Sequence, residues 1–101
     1  MYDNSIEIGT KKQYRFVVDE TINMLNNLRN YSPAYEEMYY QLLDLRKNVI
    51  EEQSLLDPDD IDDRYSFGGM AVKSFEEGDE LRERLCDILW GALHFNELEG
   101  E

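Results

Sequence analysis

The sequence predicts an all-α fold, an antiparallel helical bundle of three long helices with a short helical or irregular acidic connector between the second and the third. Three stretches carry apolar residues at helical spacing, and the chain has only six glycines and two prolines. A hydrophobic fraction of 42% in 101 residues suits one buried core. We therefore expect a single helical domain, 1–101, with poorly ordered ends at 1–10 and 97–101.

The first helix is predicted over residues 11–30. Tyr14, Val18, Ile22 and Leu25 recur at spacings of 4, 4 and 3, which places them on one face of a helix. The Asn-Tyr-Ser segment at 30–32 then ends it. Residues 2–8, which precede this helix, are the one stretch whose alternating pattern is compatible with a strand.

The second helix is predicted over residues 33–55. Ser32 can cap its free amide groups, and Pro33 fits the first helical position, where its missing N–H costs nothing. A heptad-like seam follows, made of Tyr35, Met38, Leu42, Leu45 and Val49. Because further apolar residues lie beside the seam, we expect this helix to be central and to form an antiparallel hairpin with the first.

The connector and the last helix follow. Asp57-Pro58 can cap one short helical turn, which Gly68-Gly69 is expected to end. Ser74, which has capping-box spacing to Glu77, and Asp79 are alternative starts for the last helix, whose predicted end is at residue 98. Its predicted core face consists of Leu81, Leu85, Ile88, Leu89 and Ala92.

Charge is the extreme property of this chain, with a net value of -13. Residues 1–50 hold seven acidic and six basic side chains, whereas residues 51–101 hold sixteen acidic and four basic ones. The charge therefore lies in the second half, and it argues against nucleic acid or an anionic membrane as a ligand.

Other classes of protein are also disfavoured. No apolar run approaches the ~20 residues of a membrane span, and the first ten residues lack the features of a secretion signal. Cys86 is the only cysteine, so an internal disulfide is impossible. We expect a cytoplasmic protein.

Metal binding and catalysis are not expected. Counted from Asp57, an EF-hand calcium loop needs Gly at its sixth position and Glu at its twelfth, but Asp62 and Gly68 stand there. His94 is expected to be exposed near acidic residues, and Cys86 to be a buried structural residue. The chain has no phosphate-binding loop. No cofactor, no metal ion and no enzymatic activity follow from these residues.

Trp90 lies off the core face of the last helix and is interpreted either as packing against another helix or as an exposed binding anchor. The tyrosines carry the same ambiguity, with core and core-edge packing expected for most of them.

The sequence favours two functions. The first is a small acidic binding protein that neutralises or inhibits a basic partner protein, in the manner of an immunity protein for a nuclease toxin or a phage inhibitor of a host nuclease, by mimicking the charge of nucleic acid. The alternative is a self-associating helical structural or regulatory module, a homodimer built on the second helix. The predicted partner-binding residues of the first are Asp57, Asp59, Asp60, Asp62, Asp63, Glu76, Glu77, Asp79, Glu80 and Trp90.

Overall fold

The computed structural model describes residues 8–100, and in this part of the chain every regular element is helical. Its five α-helices are α1 (Lys11–Leu28), α2 (Pro33–Leu45), α3 (Pro58–Arg64), α4 (Phe67–Ser74) and α5 (Glu80–Leu93). The predicted all-α class is confirmed. The predicted bundle of three long helices is not, since the described helices are shorter and more numerous.

Helices α1 and α2 pack against each other as a hairpin. Thr10 caps α1 by accepting a hydrogen bond from the Gln13 N–H, and the Gln13 side chain accepts in return from the Thr10 N–H. This capping box was not predicted. Ser32 caps α2 and Pro33 is its first residue, as predicted. The seam residues Met38, Leu42 and Leu45 are fully buried.

Helix α2 is shorter than predicted. It ends at Leu45 and continues as a π-helical segment, Arg46–Glu51. The Asn48 side chain donates to the Asp44 carbonyl, the acceptor that an α-helix would reserve for the Asn48 backbone N–H. This competition accounts for the widened turn. The chain then turns at Gln53, whose φ of 50° lies in the left-handed region.

Two short helices replace the predicted connector. Asp57 and Pro58 start α3, as predicted, but Gly68 and Gly69 do not end a helix. They lie in the first turn of α4 instead. Gly68 permits close packing of α4 on α5, because a Cβ at this position would lie 2.6 Å from Leu89 Cδ2. Ser74 is correspondingly the last residue of α4 and does not cap α5.

Helix α5 packs against α1, α3 and α4. Asp79 is its N-cap and accepts hydrogen bonds from the N–H groups of Leu81 and Arg82. The helix ends at Leu93, earlier than predicted, and a 3₁₀ turn, Phe95–Glu97, follows. The fully buried side chains of Leu85, Ile88 and Ala92 confirm the predicted core face.

The two ends of the described chain meet. The Lys11 N–H donates to the Glu99 carbonyl at 2.9 Å, and the Glu99 N–H donates to the Gly9 carbonyl at 3.0 Å. The strand considered for residues 2–8 lies outside the described residues except for Ile8, which is buried. Poor order at 1–10 and 97–101 stays a prediction. Among residues 8–100, no helix combines the length and apolar character that crossing a bilayer requires.

Candidate binding surface

Helix α3 presents an acidic face to solvent. Ile61 and Tyr65 are buried and fix which side of this short helix faces the core. The four aspartates that follow Pro58 are all exposed: Asp59, Asp60, Asp62 and Asp63. Within residues 8–100 none of the four forms an ion pair. Their charges are therefore not offset by an ion pair in the described part of the chain.

The helix explains only half of this charge. Asp57 caps α3 by accepting from the N–H groups of Asp59 and Asp60, which stand in its first turn, where the helix dipole favours negative charge. Asp62 and Asp63 lie in the last turn of the same helix, where the dipole disfavours an anion. Local helix stability therefore does not account for the last two carboxylates.

Several arginines are held by acids elsewhere in the molecule. Arg64 pairs with Asp44 on α2, and Arg46 pairs with Asp19 and Glu51. Arg84, which is buried, lies 3.2 Å from Glu20 and 3.7 Å from Glu80. These three arginines thus pair with acidic residues outside α3 and not with its four exposed aspartates.

A second acidic group lies at the other end of α5. Glu76, Glu77 and Asp79 are exposed in the turn between α4 and α5, while Glu80 is half-buried and pairs with Arg84. The start of α3 lies beside His94, at the opposite end of α5. The 14 residues of α5 separate these ends by about 20 Å. The predicted contact residues therefore fall into two clusters.

Trp90 is exposed, with 51% of its surface accessible. Of the two interpretations of its position, burial by packing against another helix is therefore excluded. It lies on the face of α5 opposite the core, and its ring packs on that of His94 with centroids 4.5 Å apart. Glu83 and Asp87 precede it by seven and three residues and share this face. Trp90 is thus an apolar side chain with acidic neighbours.

The other aromatic side chains are mostly internal. Tyr14 and Tyr65 are buried, and Tyr35 stacks on Phe75 at 5.9 Å. Tyr31 and Tyr40 are exposed. Tyr39 is, like Tyr35, partly buried against the core, so core and core-edge packing accounts for most of the tyrosines within residues 8–100.

A groove of about 480 Å³ opens where the start of α3 meets the end of α5. Leu56, Pro58 and Leu93 supply its apolar lining. Its polar lining consists of His94, Asn96 and Glu97. Since the Trp90 ring packs on that of His94, which lines the groove, the exposed indole adjoins the groove, and the two together are here called the groove surface.

Two side chains of the kind used in acid–base or nucleophilic chemistry, Cys86 and His94, lie in α5 and directly after it. His94 Nδ1 lies 2.6 Å from Glu97 Oε2, so the acid beside the histidine is Glu97. Cys86 is partly buried, whereas a buried position was expected. This partial burial raises the pKa of its thiol, which disfavours the nucleophilic thiolate form. Among residues 8–100, no group of three or more His, Cys, Asp or Glu side chains is placed to hold a metal ion.

The groove residues and the acids near Trp90 were not among the predicted contact residues. Glu83 and Asp87 were detectable from their helical spacing to Trp90. Leu56 and Leu93 were not, because the groove joins segments that only the tertiary fold brings together. Comparisons with protein-family models, with curated proteins and with solved structures found no match to this chain.

Proposed function

We propose that this chain is a cytoplasmic, non-catalytic acidic protein that binds a basic partner protein and blocks the surface with which that partner engages nucleic acid. The observation that carries the proposal is the exposed acidic face of α3, whose four aspartates form no ion pair within residues 8–100, together with the exposed Trp90 on α5. Inhibition of a nuclease, as by an immunity protein or a phage inhibitor, is the form of this activity that fits best.

The mechanism is electrostatic first and apolar second. A nucleic-acid-binding surface is basic because it must match about one phosphate charge per 1.7 Å of duplex. The carboxylates of α3 attract such a surface over a Debye length of about 8 Å at physiological salt and speed association. Trp90 slows release, since buried tryptophan side chains commonly dominate binding energy.

The proposal is tested with the protein immobilised as bait in an extract of its native host. We expect capture of a basic protein whose affinity falls with added salt and whose binding to nucleic acid is competed by the chain. Asp62→Asn with Asp63→Asn should slow association with the purified partner several-fold and leave dissociation nearly unchanged.

The matched control is Glu36→Gln with Glu37→Gln, which removes the same charge from exposed positions of α2. This variant should associate at the wild-type rate. Salt-independent binding, an acidic partner, or equal slowing by both double variants would contradict the proposal.

Self-association is the second candidate, and the exposure of Tyr40 and Leu43 on α2 favours it. These residues stand three apart and present an apolar surface on one side of the helix. Light scattering at increasing protein concentration distinguishes the candidates. A dimer that Tyr40→Ser with Leu43→Ser converts to monomer would support this one.

A further inference from the structure

We infer that the groove surface is a docking site for a cationic segment of the partner protein that carries one apolar anchor side chain. The inference rests on the proposed function and assigns its interface to one end of the molecule. The anchor enters the groove between Leu56 and Leu93, and its flanking lysine or arginine side chains meet the surrounding carboxylates.

The shape of the groove suits a polypeptide side chain. Its volume of about 480 Å³ is within the range of ligand pockets. Leu56 and Leu93 are only partly buried, and Pro58 and Trp90 are exposed, so the apolar lining remains open to solvent. Covering this lining and the indole removes apolar surface from water, which stabilises a complex.

Charge complementarity identifies the occupant. Glu97 lines the groove itself, and the exposed Asp57 and Asp59 flank Pro58 in the chain. An acidic segment would be repelled by these carboxylates, whereas a lysine- or arginine-rich segment pairs with them at the rim. The occupant is therefore both cationic and apolar.

The test uses three short fluorescein-labelled peptides with the intact protein. The first is rich in lysine and arginine around one central phenylalanine, the second has serine in place of phenylalanine, and the third keeps phenylalanine among glutamates. We expect the first to bind about tenfold more tightly than the second, and the third not to bind. Trp90, the only tryptophan of the chain, should change its emission with the first peptide.

Paired variants locate the site. Asp59→Asn with Asp60→Asn should weaken binding of the first peptide several-fold, whereas Glu76→Gln with Glu77→Gln, at the far end of α5, should not. Trp90→Ala should weaken it about tenfold. Phe16→Ala removes an aromatic ring from α1 that is also exposed and should have no effect. Circular dichroism verifies that each variant is folded.

Equal binding of the phenylalanine and serine peptides, or equal weakening by the two acidic pairs, overturns the docking site. If a basic host protein still binds with salt dependence, the proposed function stands and its interface lies elsewhere. If neither that protein nor any cationic peptide binds, the proposed function fails as well.

Discussion

The guanidinium group of Arg64 on α3 donates two hydrogen bonds, of 2.6 and 2.9 Å, to the carboxylate of Asp44 on α2. The Tyr65 hydroxyl donates a third to the same carboxylate at 2.7 Å. Burial, and then the hydrogen bond to Asp44, raise the pKa of Tyr65, so its hydroxyl remains a donor. A helix of seven residues is not stable alone, and these bonds attach it to α2 with its aspartates facing outward.

Replacing Asp44 should therefore loosen α3 specifically. Asp44→Ala removes the acceptor of both Arg64 and Tyr65, and we expect a loss of about 1–2 kcal/mol in the free energy of unfolding, since Tyr65 is buried and Arg64 is exposed. Urea denaturation measures it. Asp63→Ala removes an exposed aspartate without an ion pair and should change stability by no more than about 0.5 kcal/mol. Equal losses would mean that the Asp44 contacts do not hold α3.

The same carboxylate should produce an acid dependence of stability. The hydrogen bond from Arg64 is the main cause that lowers the pKa of Asp44 from 3.8 to about 2. Because this pKa is depressed in the folded state, its stabilisation is fully present above pH 4 and is lost as the pH falls through about 2. Since the side chain is partly exposed, we expect a contribution on the order of 1 kcal/mol.

This dependence is measured as the difference in unfolding free energy between the wild type and Asp44→Asn. The difference should be constant from neutral pH down to about pH 4 and should shrink as the pH approaches 2. A difference that persists unchanged at the lowest pH would show that the Asp44 charge is not its source.

Local signals predicted the starts of α1, α2 and α3, one of the two alternative starts of α5, and the core faces, but they did not predict α4. Ser32, Asp57 and Asp79 cap the helices where their side chains can accept backbone hydrogen bonds, and this depends on only a few adjacent residues. Two failures were local, since the Thr10 capping box and the bond from Asn48 to the Asp44 carbonyl involve residues three or four apart, whereas another depends on a tertiary contact. Gly68 was predicted to end a helix, yet it lies in the first turn of α4, where the absence of a side chain leaves room for Leu89.

The candidate site shows the same division. Its charge was predictable, because exposed aspartates follow from composition and from the burial of Ile61. Its separation into two ends was not, because only the length and packing of α5 place Glu76 far from Asp59. The groove could not be predicted either, since Leu56 and Leu93 are far apart in sequence and meet through the packing of α3 on α5.

Gly91 should tolerate no side chain. A Cβ there would lie 2.4 Å from the Tyr14 ring, which is fully buried and held by a hydrogen bond of 2.7 Å from its hydroxyl to the Ile88 carbonyl. Gly91→Ala should therefore destabilise the protein by about 1–3 kcal/mol through overpacking. Gly69→Ala, a helical position with nothing within 4 Å, should instead raise stability by up to about 1 kcal/mol. Thermal unfolding of both variants checks the opposite signs.

Replacing the N-cap aspartate of α3 and replacing the aspartates of its last turn should change the free energy of unfolding in opposite directions. Asp57→Ala removes the N-cap that accepts from the Asp59 and Asp60 N–H groups, and it should cost about 1 kcal/mol. Asp62→Asn with Asp63→Asn removes anions from the unfavourable end of the helix and from a strongly acidic molecule. This double variant should be as stable as the wild type or more stable, by up to about 1 kcal/mol at low salt.

The stabilising effect should diminish as salt screens the repulsion. If the double variant is destabilised, Asp62 and Asp63 serve the fold, and the case for a binding role is weaker. If it is stabilised while association with the basic partner slows, the chain retains these carboxylates at a cost in stability. Proteins accept such a cost at binding sites, where a locally unfavourable residue is retained because the partner requires it.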